Sequence, residues 1–205
     1  MASAHEPADT PPLEYWLQDL ARREAFMKPE HTMRGFFFNG TLAYIRALGD
    51  EALARRCLEA SGEERFVDFF NYPFQRMCPV LRTALPPLAE RFGGAGALRE
   101  IGRRASQDFL ASAAGRALLL LTQNRPRSLM SSLSAAFQLS VSFGRTELVW
   151  EGPTQGRLVQ EQALLPPPFH EGAVRRLLEA TTAQELHVSA RDTGPLCVTC
   201  DFRWA

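Results

Sequence analysis

Residues 139–204 constrain the fold more than any other stretch, because their polarity pattern reads strand, strand, helix, strand, strand. Leu139-Ser-Val-Ser-Phe143 alternates apolar and polar side chains, as a half-buried strand does, and the run resumes after Gly144 as Thr146-Glu-Leu-Val-Trp150. Glu151-Gly-Pro-Thr-Gln-Gly156 is turn chemistry, so the extended segment from Arg157 to Leu165 is expected to fold back as a hairpin. Pro166-Pro-Pro168 argues against helix immediately before Phe169. Val174, Leu177 and Leu178 then give a short helix one apolar face. Gln184 to Arg191 and Leu196 to Trp204 form a second hairpin around Asp192-Thr-Gly-Pro195.

Everything before residue 139 reads as helical and needs that sheet, or itself, to bury its apolar faces. Helices followed by a mostly antiparallel sheet predict an α+β fold: an N-terminal helical bundle, then an antiparallel β-β-α-β-β unit, in a single domain. Residues 1–11 are rich in Pro, Ala and acid and are expected to be a disordered tail. Residues 12–31 hold an N-terminal amphipathic helix with Tyr15, Trp16, Leu20, Arg23 and Phe26 three or four apart, ended by Pro29; residues 32–205 form the α+β domain. Met33-Arg-Gly-Phe-Phe-Phe-Asn-Gly40 suits either a short buried strand or the start of a helix running to a C-terminal glycine at Gly49. Asp50 can cap the next helix, from Glu51 to Ala60. Pro73, Pro79, Pro86 and Pro87 are expected to divide the following region into short pieces. Gly93-Gly-Ala-Gly96 reads as a flexible loop, without the Lys-Ser/Thr of a phosphate loop. Ala97 to Leu121 is expected to be the longest helix, its buried stripe running through Leu98, Ile101, Ala105, Phe109, Ala113, Ala117 and Leu120. Gly102 and Gly115 cost that helix about 1 kcal/mol each against alanine, so a closely packed neighbour is expected to compensate.

The chain carries 23 basic and 23 acidic residues, which argues against a nucleic-acid partner, since phosphate neutralisation needs a basic excess. No apolar run approaches the ~18 residues of a membrane span, and the N-terminus lacks the pattern of a secretory signal, so a cytoplasmic location is expected. Cys197-x-x-Cys200 has the spacing of half a zinc site. On a strand, however, its two thiols face opposite sides of the sheet, and no second pair completes a site. No metal and no cofactor are predicted. His5, His31, His170 and His187 lie in no recognised metal or catalytic motif, and the serines at 128, 131, 132 and 134 lack a nucleophile elbow. Asp108 is read as the ion-pair partner of Arg104 on a solvated helix face.

Arg34-Gly-Phe-Phe-Phe-Asn-Gly40, Tyr72-Pro-Phe74, Leu98-Arg-Glu-Ile-Gly102, Phe109 to Gly115-Arg116, Phe143-Gly144, Gly152-Pro153 and Phe169-His-Glu-Gly172 together resemble a myxobacterial paralogous family with no assigned function, over residues 32–204. That family is in turn distantly similar to the 4-vinyl reductase domain, the haem-nitric-oxide-binding domain and the small subunits of TRAPP transport complexes. The resemblance implies a helical half followed by a β-β-α-β-β half. It also implies small-molecule binding between the two, or service as an interaction scaffold, with pairing into dimers. Haem-binding relatives use a helical histidine and a Tyr-x-Ser-x-Arg clamp. Neither is expected here, and Tyr15, Tyr44 and Tyr72 have no such context.

With 14 phenylalanines, the chain can line an apolar pocket or simply fill a core. The first expectation is a non-enzymatic sensory or regulatory module that binds an apolar small ligand or a partner protein. Its pocket residues would be Phe36, Phe38, Phe66, Phe69, Phe70, Phe74, Phe109 and Phe137. The second is a ligand-free scaffold subunit, a homodimer or hetero-oligomer, with Tyr15 and Trp16 at the interface. An enzyme ranks last, because no nucleophile–base pair is legible.

Overall fold

The computed structural model describes residues 11–48, 50–138 and 140–205. The expected tail, the glycine at 49 and the strand start at Leu139 therefore fall wholly or mainly outside the described residues. In chain order the elements are α1 (Leu13–Glu24), β1 (Thr32–Arg34), α2 (Gly35–Ala47), α3 (Glu51–Ser61), β2 (Asn71–Pro73), α4 (Met77–Phe92), α5 (Gly94–Ala111), α6 (Ala113–Thr122), α7 (Pro126–Gln138), β3 (Arg145–Trp150), β4 (Gln155–Glu161), α8 (Pro167–Glu179), β5 (His187–Gly194) and β6 (Cys197–Arg203). The fold is α+β with the helices first, as the sequence pattern predicts. Among the described residues no helix is long and apolar enough to cross a membrane.

The last four strands make one antiparallel sheet in the order β3-β4-β6-β5. Its register sets Leu148 opposite Leu158, Leu158 opposite Cys200 and Cys200 opposite Ala190, a row on the face turned to the helices. Cys197, Thr199 and Asp201 take the other face, so the two cysteines of the Cys-x-x-Cys point apart. On that outer face Asp201 bridges Arg157 and Arg191. Beside the core row, Trp150, Phe202 and Trp204 pack as an aromatic trio. Residues 140–143 do not join this sheet. Val141 bridges Met33, and the backbone N–H of Ser142 donates to the Thr32 carbonyl, so the segment runs beside β1 and turns at Gly144, whose φ is +79°. The alternation there reports Val141 and Phe143 facing inward, without membership of the main sheet.

The expected prolines break less than their chemistry suggests. Pro79 lies in the first turn of α4, where a missing N–H costs little, but Pro86 and Pro87 lie inside the helix. The helix persists because Val80, Leu81, Ala84, Leu85 and Leu88 are buried along one face. Pro167 and Pro168 likewise start α8 instead of preceding it. The expected long helix is two: the hydroxyl of Ser112 accepts the N–H of Gly115 and caps α6 as a new helix. A Cβ on Gly115 would stand 2.1 Å from the Phe109 carbonyl oxygen, so the turn is tight. The break ends the buried stripe, leaving Ala113, Ala117 and Leu120 exposed. The glycines predicted to start as a loop instead open α5 at Gly94.

Helix α1 is docked into the common core through Trp16 and Leu20. Arg23, 4% exposed, donates to Asp19 at 2.7 Å, to the Ala163 carbonyl at 2.7 Å and to Asp192 at 2.6 Å, tying α1 to β5 and to the segment before α8. Tyr15 and Phe26 remain exposed.

Candidate functional site

The site begins with the crossing of α5 and α8. A Cβ on Gly102 would lie 2.0 Å from the Phe169 carbonyl oxygen, and one on Gly172 would lie 2.0 Å from the Arg99 carbonyl oxygen. The two backbones therefore touch, which is the close neighbour the helix glycines require. One turn further along α5 the side chains are Ala105, Ser106 and Phe109, and they do not fill the angle between the diverging helices. A cavity of about 50 Å³ opens there, closed by α7, the 141–143 segment, β4 and α8. A second lobe of about 50 Å³ reaches the sheet at Leu158, Val198 and Cys200, and a third of about 20 Å³ reaches Met77 and Leu81. Phe169 borders all three.

The lining is apolar apart from Ser106, Gln160 and His170 on the main lobe, with Thr146 on the sheet lobe and Thr41 on the smallest. His170 stands in the first turns of α8 and is 9% exposed. Its one hydrogen bond among the described residues runs from Nε2 to the Leu165 carbonyl, 3.1 Å away. A carbonyl oxygen only accepts, so Nε2 carries the proton and Nδ1 keeps its lone pair. Burial, reinforced by the charge of Arg23, pushes the imidazole down to about 4, so the ring is neutral at neutral pH. The three buried thiols are poor nucleophiles: burial pushes Cys57 up to about 11, Cys78 up to about 12 and Cys200 up as well. Among the described residues no group of three His, Cys, Asp or Glu side chains could hold a metal ion.

The eight predicted phenylalanines separate. Phe74, Phe109 and Phe137 line the cavity. Phe38 stacks on Phe66 with centroids 4.2 Å apart, and Tyr72 packs edge-on against both; this is packed core. Phe36 borders a separate open groove of about 740 Å³ over Gly40 and Asp108. Phe69 also borders that groove and is 69% exposed, while Phe70 is 55% exposed, so these two belong to the surface and not to an interior pocket. Asp108 pairs with Arg104 at 2.9 Å as expected, on the wall of that groove, but its carboxylate is largely covered. It is held against Gly40 of α2, and desolvation raises its carboxyl above the usual range. Trp16, expected at an interface, is buried in the protein's own core against Gly94, while Tyr15 is on the surface. Sequence reasoning missed Phe37, Phe143, Phe169, Gln160 and His170 as cavity residues. Phe37, Phe143 and Phe169-His170 carried a signal through the resemblance, and Gln160 carried none.

The same architecture occurs in H-NOX proteins. The Fe(II) unliganded H-NOX protein from K. algicida matches with a TM-score of 0.68 at 12% identity, covering 84% of this chain and 97% of that one. The H-NOX protein from S. oneidensis in the Fe(II)NO ligation state matches at 0.65 and 14% identity, covering 84% and 99%. A point variant of Tt H-NOX matches at 0.63 and 11%, covering 84% and 95%. At these identities the likeness is one of fold. Two further structures of this shape concern haem distortion in the H-NOX family and haem redox potential under porphyrin distortion. The cavity residues here do not fit a haem. No lobe exceeds about 50 Å³, and no arginine or lysine lines any of them to take the haem carboxylates. None of the tyrosines lines the lobes either. No curated protein matches the chain in sequence. Through residues 27–205 the chain belongs to the family described as protein of unknown function, DUF2378.

Proposed function

We propose that this protein is a non-enzymatic, cytoplasmic sensory or regulatory module that binds an apolar small ligand where α5, α7 and α8 meet the sheet. The carrying observation is the set of three adjoining apolar cavities, two of them bordered by the buried imidazole of His170. Convergence of a few polar groups in an apolar cavity is what small-molecule recognition requires. The likeness to an H-NOX protein crystallised in an Fe(II)NO ligation state supports a ligand-binding use of this fold, without haem here. The helical half followed by a β-β-α-β-β unit also supports kinship with the 4-vinyl reductase domain and the TRAPP small subunits. A dry cavity of about 150 Å³ takes a benzene ring, so a ligand of that size enters only by displacing Phe169 or the half-buried rings of Phe137 and Phe143. Native mass spectrometry of protein purified from its own host, set against the denatured mass, tests this. An extra mass lost on denaturation is expected; a bare mass counts against the reading.

A second reading, a scaffold subunit that pairs with a second copy or another protein, has its own observation. Helix α6 exposes Ala113, Ala114, Ala117, Leu120 and Leu121 along one stripe, the two leucines at 79% and 83%. Exposed apolar patches mark protein contacts. Sedimentation of the wild type beside Leu120→Glu/Leu121→Glu tests it: a dimer dissociated by the charges supports pairing, and a monomer in both rules out self-pairing through α6.

A further inference from the structure

Resting on the cavity reading above, we infer that His170 is the polar anchor of the ligand site. Its Nδ1 accepts a hydrogen bond, and the ligand is an uncharged, mostly apolar molecule carrying one O–H or N–H group, of the class of phenols, alcohols and indoles. The tautomer carries the argument. Nε2 is committed as a donor to the Leu165 carbonyl, 3.1 Å away, so the remaining nitrogen is an acceptor and nothing else. Nδ1 makes no hydrogen bond among the described residues, and His170 borders two of the lobes, so a donor on the ligand would supply its partner.

The surroundings set the charge of the ligand. The three lobes are lined by no lysine, arginine, aspartate or glutamate, so neither an anion nor a cation finds a counter-charge there. The nearest buried cation, Arg23, is spent on Asp19, Asp192 and the Ala163 carbonyl. Its charge also opposes protonation of the imidazole, which keeps the acceptor available at neutral pH. Gln160 lies on the lobes that His170 also borders, so a second polar group on the ligand would meet an amide that both donates and accepts.

Phenol and toluene, matched in size and differing in the hydroxyl, test the inference. Each is titrated by calorimetry into the full chain and into Phe169→Ala, where removal of the shared ring joins the lobes. Phenol is expected to bind about ten-fold tighter than toluene, the factor one neutral hydrogen bond is worth. In His170→Phe that preference is expected to disappear while toluene still binds. Equal binding of both compounds to the full chain and to Phe169→Ala overturns the anchor but leaves the cavity reading standing. So does a preference that survives His170→Phe. Binding of neither compound to either protein overturns the cavity reading and the anchor with it. Should His170→Phe fail to fold, ¹⁵N NMR of the wild-type imidazole decides. Phenol and not toluene must move the Nδ1 resonance upfield, and an unmoved resonance at saturation overturns the proposal.

Discussion

Two aromatic clusters, one around Phe38 and Phe66 and one around Phe109 and Phe169, behave oppositely. Around Phe38, Phe66 and Tyr72 the rings stack and interlock, and polar atoms pin the corner: the Val67 N–H donates to the Tyr72 hydroxyl at 2.9 Å, and Asn39 Nδ2 donates to the Phe66 carbonyl at 3.0 Å. Around Phe74, Phe109, Phe137, Phe143 and Phe169 the rings leave space. Residue type is the same, so type does not decide which cluster fills. The first cluster joins α2 to the loop and strand that follow α3, and these adjust to each other. The second is contributed by several elements, two of which, α5 and α8, are locked by backbone contact at Gly102 and Gly172 and cannot close further. A cavity forms where rigid backbone spacing exceeds what the side chains supply.

Truncation separates the clusters most strongly. Phe38→Ala removes a fully buried ring from a stacked pair and is expected to cost about 3–5 kcal/mol in urea unfolding. Phe137→Ala, half-buried at the cavity, is expected to cost less than about half as much while strengthening the binding of apolar compounds. Equal costs would mean that the two clusters are equally packed.

Acid probes the cavity alone. The folded-state value of His170, about 4, lies below the 6.5 of an unfolded histidine. Between those values the unfolded chain binds more proton, so this contribution is complete above pH 6.5 and is lost as pH falls toward 4. The loss amounts to roughly 3 kcal/mol. Denaturation midpoints from pH 7 to pH 4 in wild type and His170→Phe measure it: the wild type is expected to lose the additional stability, and parallel curves would refute the buried neutral ring.

Gly102→Ala addresses the cause of the cavity. The new methyl would meet the Phe169 carbonyl, which is backbone and cannot swing aside, so overpacking is expected to cost about 1–3 kcal/mol. If α8 moves off to accommodate it, apolar compounds should bind better as stability falls. A stability loss with unchanged binding would show that the crossing does not gauge the cavity.

Much of this architecture was legible because alternation reports one buried face directly. It gave the two hairpins and the opposed faces of Cys197 and Cys200, while capping chemistry gave Asp50, which accepts the Leu53 N–H at 2.6 Å. The site was harder to read. In α2 three consecutive rings point about 100° apart, so only distant partners choose that Phe37 meets the cavity and Phe38 the packed corner. The α6 stripe kept a helical period but turned outward, because the break at Ser112 resets the helix axis and periodicity carries no information about what an apolar face meets. His170 had no metal or catalytic motif around it, only the Phe169-His-Glu-Gly172 run of the resemblance. Its burial depends on α5 and on the segment before α8, which contact it only once the chain is folded.

The smallest expected effect sharpens the surface side of the comparison. Phe70 belongs by sequence to the aromatic run Phe66 to Phe70, and as a core residue its truncation would cost as much as that of Phe38. It is 55% exposed, and its ring meets Phe69 edge-on at 5.3 Å, itself 69% exposed. Its carbonyl, which accepts the Gly35 N–H at 2.9 Å, survives truncation. Phe70→Ala is therefore expected to change stability by less than about 0.5 kcal/mol in dilute solution. Urea midpoints measured across a range of protein concentrations check this. A cost that grows with concentration would show that a second copy covers the ring, because an interface residue stabilises by mass action where a lone surface residue does not.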